Sequence, residues 1–105
     1  MPPSDEDIQN IDRVIHEPSR LTIMMHLYVV ESADFQFLQH QHQTGMTPGN
    51  LSSHMRKLED AGYVEVTKEF VDRTPHTALK LTRKGREAFK EYRRNVKRFI
   101  DKLPE

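Results

Sequence analysis

The change of hydrophobic period at Gly62 constrains the fold of this chain more than any other feature of its sequence. Before this glycine, apolar residues recur at i, i+4 and i+7, the spacing of one helix face: Leu51, Met55 and Leu58. After it, apolar and polar residues alternate as in a half-buried strand. We therefore predict a helix over 47–61, then a hairpin with strands at 63–70 and 77–82 and a tip at 71–76.

The predicted helix starts with poor helix formers, in the sequence TPGNLSS. Thr47 suits the N-cap, and Pro48 occupies the first helical position, where its missing N–H costs nothing. The face opposite the apolar one carries small and polar residues: Gly49, Ser53, Arg56 and Asp60, flanked by Asn50, Lys57 and Ser52. Such residues can read base edges or bind phosphate, but they also occur at helix starts that touch no nucleic acid. This helix alone supports both interpretations equally.

The rest of the chain is predicted to be mainly helical. Capping and acidic residues followed by spaced isoleucines predict an N-terminal helix over 5–15. A second helix begins at Pro18 and is apolar all round, which predicts a buried position. Asp34 ends a short link and caps a predicted helix over 35–43, and a long C-terminal helix spans 83–103. All of these belong to one domain, 1–105, with its core at 18–82.

Five apolar residues of the C-terminal helix are spaced 3, 4, 3 and 4 apart, like the a/d seam of a heptad repeat: Phe89, Tyr92, Val96, Phe99 and Leu103. Such a seam packs on its own domain or against a second copy of the chain. We favour a homodimer, because a domain of this size has too little surface to cover the whole seam. The N-terminal helix, through Ile8, Ile11 and Ile15, is the predicted second part of that interface.

Composition removes several classes of protein and leaves a DNA-binding one open. The 105 residues suit one domain, and the absence of cysteine excludes disulfides and thiolate chemistry. With no signal peptide and no apolar run long enough to span a membrane, we predict a cytoplasmic protein. The net charge is zero, but residues 1–46 carry −5 and residues 47–105 carry +5. A basic half suits nucleic acid, although a salt-bridged C-terminal helix would explain it equally well.

No catalytic or metal-binding pattern stands out. Ser53 and His54 are neighbours that point in different directions on a helix, so they form no nucleophile–base pair. His40 and His42 would diverge by about 200° on a helix, and could share an ion only in a loop or across a dimer. The four glycines lie far apart and form no phosphate-binding loop. We therefore predict no enzyme, no cofactor and no metal site.

Two segments resemble the winged helix-turn-helix transcriptional regulators of the MarR and ArsR type: LSSHMRKLEDAGYVEV and FVDRTPHTALKLTRKGREAF. The likeness covers about 11–92 and is greatest for the small single-domain branch of this group. HEPSRL, at 16–21, also resembles the start of the second helix in these proteins. Two departures are that QHQHQTG is longer than expected and that the cysteine motif of ArsR-type metal sensors is absent.

The resemblance implies a mainly α domain with a two-stranded β-hairpin wing that binds double-stranded DNA as a homodimer. Arg73 would reach backbone or minor groove from the wing tip, with Lys68 and His76 placing phosphates. Repression is the regulatory outcome that the resemblance favours. Carried over position by position, the contacts of helix 47–61 in the major groove would be Thr47, Gly49, Asn50, Ser52, Ser53, Arg56 and Lys57.

A second class of function stays open from the sequence: a protein-interaction winged helix within a larger assembly. Five basic residues on the helix and hairpin favour DNA: Arg56, Lys57, Lys68, Arg73 and Lys80. Four acidic residues among them keep the alternative open: Asp60, Glu65, Glu69 and Asp72. A small-molecule effector, if one exists, would need the dimer interface, because the chain has no room for a separate ligand domain.

Overall fold

Side-chain caps set the starts of the three longest helices. Glu17, Thr47 and Thr82 each accept a hydrogen bond on a side-chain oxygen from the backbone N–H three residues later. The computed structural model describes residues 5–41 and 47–105, apart from the side chains of Asp7 and Gln41. Within these ranges the elements are α1 (Asp5–Gln9), α2 (Pro18–Val30), β1 (Ser32–Asp34), α3 (Phe35–Gln41), α4 (Pro48–Asp60), β2 (Val64–Val71), β3 (Thr74–Leu81) and α5 (Arg83–Ile100).

The sheet has three antiparallel strands in the described part of the chain, in the order β1–β3–β2, where two were predicted. The predicted link at 32–34 is a strand, which pairs with β3 through Ala33 opposite Leu79. Three residues are too few to show an alternating pattern, so the strand is recognisable only by its pairing. Asp34 still caps the next helix as predicted, because its Oδ1 accepts the Gln36 N–H at 2.8 Å.

The hairpin is longer than predicted, and its tip consists of two residues, Asp72 and Arg73. β2 and β3 pair without interruption from their bases to the pair Val71 and Thr74. The tip residues have φ values of 52° and 68°, the left-handed conformation that a two-residue hairpin turn requires. The predicted tip at 71–76 is therefore too long, because Val71 and residues 74–76 pair within the strands and leave two residues for the turn.

The N-terminal helix is shorter than predicted, because α1 ends at Gln9 instead of residue 15. The carboxylate of Asp12 accepts the backbone N–H groups of Val14 at 2.9 Å and Ile15 at 3.2 Å. Such a local side-chain bond offers the backbone an alternative to the helical pattern and favours a turn. The turn directs Ile15, which is fully buried, into the core.

α2 forms the centre of the core, and its inner face buries Ile23, Met24 and Leu27 completely. The prediction that α2 is buried all round is wrong, because Met25 and Val29 are 54% and 81% exposed on its outer face. The other buried hydrophobic residues come from the segment after α1, the sheet and α3 to α5: Ile11, Ile15, Ala33, Leu38, Leu51, Leu58, Val64, Leu79, Leu81, Phe89 and Tyr92.

α5 begins after the Thr82 cap and ends at Ile100, before the predicted limit of 103. Its last turn carries the cations Lys97 and Arg98, which interact favourably with the negative end of the helix dipole. Neither this helix nor any other within the described ranges is long and apolar enough to cross a membrane.

Candidate nucleic-acid interface

α4 has one face in the core and one face in solvent. Leu51 and Leu58 are fully buried and Met55 packs against the core, so the inner face holds the helix in place. Ser52 is half-buried at the edge between the two faces. The other residues predicted to contact DNA from this helix are all exposed: Thr47, Gly49, Asn50, Ser53, Arg56 and Lys57. The division between an apolar and a polar face is therefore confirmed.

Among the residues that the structure describes, none gives Gly49 a steric reason to be a glycine. A Cβ placed there would meet, of these residues, only Thr47 Oγ1, at 3.9 Å, which is an ordinary van der Waals distance. Glycine in a helix costs about 1 kcal/mol relative to alanine, although the cost is smaller near a helix start. The predicted N-cap is confirmed, because Thr47 Oγ1 accepts the Asn50 N–H at 3.1 Å. Capping therefore explains Thr47, whereas no contact within residues 5–41 and 47–105 explains Gly49.

The wing separates its charges between two faces. Lys68 and Arg73 are both exposed, the first in β2 and the second at the tip. Because side chains alternate along a strand, Lys68 shares a face with Phe70, and Glu69 lies on the other face. Phe70 is 78% exposed. One face of the wing therefore presents a cation and an aromatic ring without the neighbouring carboxylate.

His76 lies in β3 and not at the wing tip, so its predicted position is wrong. Its Nδ1 donates to Oδ2 of Asp34 at 2.9 Å. Burial alone would raise the pKa of Asp34, but this hydrogen bond and the backbone N–H groups of Gln36 and Phe37 hold it below its usual value. Since Asp34 also caps α3, the contact joins the wing to the helix that precedes α4.

Arg20 on α2 belongs to the support of α4 and was missed by the sequence analysis. Its side chain is nearly buried, since the residue is only 9% exposed. Its Nε donates to the Val14 carbonyl oxygen at 2.5 Å. Its Nη1 lies 3.1 Å from Nδ1 of His54 on α4. Oε2 of Glu17 accepts the Arg20 N–H at 2.8 Å and lies 3.5 Å from the same His54 nitrogen. Burial alone would raise the pKa of Glu17. Hydrogen bonds from the backbone N–H groups of Arg20 and Ser19, together with the nearby side chains of His54 and Arg20, lower this pKa below its usual value.

Tyr63 holds the other end of α4. Its backbone N–H donates to the Leu58 carbonyl oxygen at 2.9 Å, and its hydroxyl donates to the Asp12 carboxylate. Burial, followed by the hydrogen bond to Asp12 and the charge of that carboxylate, raises the pKa of Tyr63 to about 12. Gly62, with φ of 80°, ends the helix as predicted. α4 is thus fixed at its middle and its end by contacts that leave its outer face exposed.

The predicted seam on α5 divides into a buried and an exposed part. Phe89 and Tyr92, 6% and 7% exposed, belong mainly to the core of this chain and leave little surface for a partner. The Phe89 ring lies 5.0 Å from the ring of Tyr28, and the Tyr92 hydroxyl lies 2.9 Å from His16 Nδ1. The remaining seam residues are only partly buried or exposed: Val96, Phe99 and Leu103.

The outer faces of α2 and α5 form an open apolar groove of about 930 Å³. Ile11 and Ile15 were predicted beside the seam but are 6% and 0% exposed in the core, so that prediction is wrong for both. Ile8 of the same set is 58% exposed. The groove is lined mainly by apolar and aromatic residues: Leu21, Met25, Tyr28 and Val29 from α2, and Phe89, Tyr92, Val96 and Ile100 from α5. Cations and one acid border it on α5: Lys90, Arg93, Arg94, Lys97 and Asp101.

The histidines considered as metal ligands are only partly described. His40 is exposed in α3, whereas His42 lies outside the described residues. The predicted end of the short helix at 43 also lies outside them. In residues 5–41 and 47–105, no group of three or more histidine or carboxylate side chains is placed to hold a metal ion.

A helical core, an exposed polar helix and an adjacent β-hairpin define a winged-helix domain. The chain belongs to the family described as winged helix DNA-binding domain, whose model matches residues 19–100. This membership confirms the fold class and the resemblance that the sequence motifs indicated. The protein is therefore a member of the winged-helix DNA-binding proteins.

The chain is also similar to individual proteins. It is 36% identical over 80 residues to an uncharacterized protein of Methanocaldococcus jannaschii, covering 76% of this chain and 85% of that one. A transcriptional regulator homologue from Pyrococcus horikoshii OT3 superposes with a TM-score of 0.86 and 35% identity, covering 95% of this chain and 99% of that one. NadR in complex with 4-hydroxyphenylacetate superposes with a TM-score of 0.67, covering 91% of this chain and 66% of that chain. At 24% identity, that match shows the fold alone.

Proposed function

We propose that this protein is a sequence-specific repressor of transcription that binds double-stranded DNA in the cytoplasm as a homodimer. The observation that carries the proposal is the outer face of α4, which is polar and exposed while the inner face is fixed in the core. A dimer bound at a promoter would exclude polymerase from the same DNA, which is the reason for proposing repression.

The proposed reading element is α4 in the major groove. Asn50 and Arg56 have the donor and acceptor groups that pair with base edges, and Lys57 suits phosphate. The start of a helix attracts anions through its free N–H groups, and Gly49 would let a phosphate approach the backbone there. The other proposed contacts from this helix are Thr47, Ser52 and Ser53.

The wing would contact the DNA beside the major groove. Arg73 at the tip is the proposed contact with backbone or minor groove, and Lys68 is the proposed phosphate contact on the strand that leads to it. His76 is not retained as a contact, because its Nδ1 is bonded to Asp34 at the base of the wing.

The proposed dimer interface is the groove between α2 and α5. Val29 is 81% exposed and Met25 54% exposed, and an apolar surface of this kind in a small domain marks an interaction site. A second copy related by a twofold axis would cover the groove with its own identical surface. Such a dimer would present two α4 helices to half-sites about 10 base pairs apart.

Salt dependence tests the DNA-binding proposal directly. After selection of bound genomic fragments has supplied an operator, log K should fall linearly with log salt, by about 0.9 for each phosphate contact. Arg56→Ala should weaken operator binding by about tenfold if this side chain pairs with a base edge, and Arg73→Ala should reduce the salt slope by about one. Fluorescence anisotropy measures both quantities.

Arg98→Ala is the control for these variants, because it removes an exposed cation from the last turn of α5. It should leave both operator affinity and salt slope close to those of the wild type. Weak binding that does not change with salt would contradict the proposal and favour the protein-interaction alternative. Unchanged binding by both Arg56→Ala and Arg73→Ala would refute the contact assignment alone.

Gly49→Ala should change stability and DNA affinity in opposite directions. Against the described part of the chain the added methyl group makes only an ordinary contact, so the free energy of unfolding should rise by up to about 1 kcal/mol. At the DNA the same methyl group would separate the helix start from a phosphate, and affinity should fall by about tenfold. Urea denaturation and operator titration of one sample measure the two effects. Unchanged affinity would show that α4 does not approach DNA at Gly49.

A further inference from the structure

The cluster of Glu17, Arg20 and His54 is the strongest polar contact between α2 and the proposed reading helix. Arg20 is nearly buried, and a buried guanidinium is stable only when its N–H groups have acceptors. Two acceptors are backbone carbonyl oxygens, those of Val14 at 2.5 Å and Arg13 at 3.4 Å. The third is Nδ1 of His54 at 3.1 Å, the only one of them that lies on α4.

The contact with Arg20 requires one particular state of the His54 ring. A guanidinium donates and never accepts, so a hydrogen bond between the two needs the lone pair of His54 Nδ1. In that state the ring proton is on Nε2 and the imidazole is neutral. Glu17 Oε2 lies 3.5 Å from the same Nδ1 and 3.9 Å from Arg20 Nη1. One nitrogen of His54 thus faces both a cation and a carboxylate.

Protonation would exchange these two partners. A proton on Nδ1 removes the acceptor that Arg20 uses and places a second positive charge 3.1 Å from its guanidinium. The same proton makes Nδ1 a donor toward the Glu17 carboxylate. His54 would therefore move from Arg20 toward Glu17, and α4 would move with it.

Other charged groups lie in a groove beside Arg20. Arg13, Lys57 and Asp60 line the adjacent groove of about 370 Å³, together with Arg20 itself. Lys57 and Asp60 come from α4 and carry opposite charges, whereas Arg13 comes from the segment before α2.

We propose that Arg20 and Glu17 are positioning residues that set the orientation of α4 through the protonation state of His54, so that mild acidification weakens operator binding. The inference rests on the proposed DNA-binding function. Its structural step, the exchange of His54 partners, concerns the free protein and is testable without DNA.

The experiment compares the wild type with His54→Asn between about pH 8 and about pH 5, the interval in which histidine changes charge. The asparagine amide oxygen can accept from Arg20 in place of Nδ1, but it gains no proton. The two proteins should bind operator equally at the upper pH, and the wild type should bind about fivefold or more weakly than the variant at the lower pH. Taking the ratio at each pH cancels the titration of the other histidines.

A second variant, Glu17→Gln, tests the partner exchange and still caps α2 through its amide oxygen. Without the carboxylate, protonated His54 loses its favourable partner, so the transition in amide NMR shifts of α4 should move to lower pH. The same transition should be absent from His54→Asn. Operator affinities whose ratio stays constant with pH, or a transition that is unaffected by Glu17→Gln, would overturn the inference. Loss of DNA binding at every pH, with the NMR transition intact, would instead overturn the proposed function.

Discussion

Gly85→Ala is expected to lower the free energy of unfolding by about 3 kcal/mol, although it replaces a glycine in a helix with the strongest helix former. A Cβ at position 85 would lie 2.1 Å from the Tyr63 carbonyl oxygen and 2.9 Å from Cδ1 of Leu81. Neither neighbour can yield easily. The Tyr63 oxygen accepts the Thr82 N–H at 3.0 Å, and Leu81 is only 7% exposed. The first turn of α5 would have to separate from the start of β2.

Thermal unfolding measures this effect, and a loss of that size corresponds to a fall of about 15 °C in Tm for a domain of about 100 residues. Gly49→Ala is the matched control, since it makes the same substitution in the first turn of α4 where the space is open. The two variants should shift Tm in opposite directions. A Gly85→Ala protein as stable as the wild type would contradict the close approach of α5 to the Tyr63 backbone.

The wing and α4 could be predicted because each has a long, regular pattern. The apolar spacing of Leu51 and Leu58 continues over two helical turns, and both residues are fully buried in the structure. β1 could not be predicted in this way, because three residues carry no measurable period. The end of α1 was missed for a different reason. The Asp12 carboxylate bonds to nearby N–H groups, and this local bond overrides an apolar spacing that looks helical.

The exposed part of the site was easier to predict than its support. Polar side chains opposite an apolar face are expected in solvent, and Asn50 and Arg56 lie there. Arg20 was missed because a charged residue is usually assigned to the surface. A signal was present, since Glu17 and Arg20 stand three apart at the start of α2, a spacing that places them beside each other. The partner on α4, His54, is distant in sequence, and only the packing of the two helices brings it within reach.

The seam on α5 shows the limit of a periodic pattern. Heptad spacing identifies which residues share a face, but it does not identify what covers that face. The core of the chain covers Phe89 and Tyr92, whose spacing is the same as that of the exposed residues after them. A variant such as Phe89→Glu would therefore unfold the domain and would report nothing about a dimer. The proposed interface has to be tested at residues that the protomer leaves exposed.

Val29→Glu is expected to convert the proposed dimer into monomers and to weaken binding to a two-half-site operator by about a hundredfold or more, because the two reading helices would no longer be linked. Val29 is 81% exposed, so the fold should tolerate the carboxylate, whereas a dimer would bury it against the apolar groove. Sedimentation and operator titration measure the two effects. Val96→Glu should act in the same direction, with some loss of stability because Val96 packs partly on the core.

Phe70→Glu is the control for oligomeric state. It places the same charge on the wing, outside the groove, at a residue that is 78% exposed, and it should sediment like the wild type. A Val29→Glu protein that stays dimeric would exclude the α2–α5 groove as the interface, and a wild type that sediments as a monomer would exclude the dimer itself.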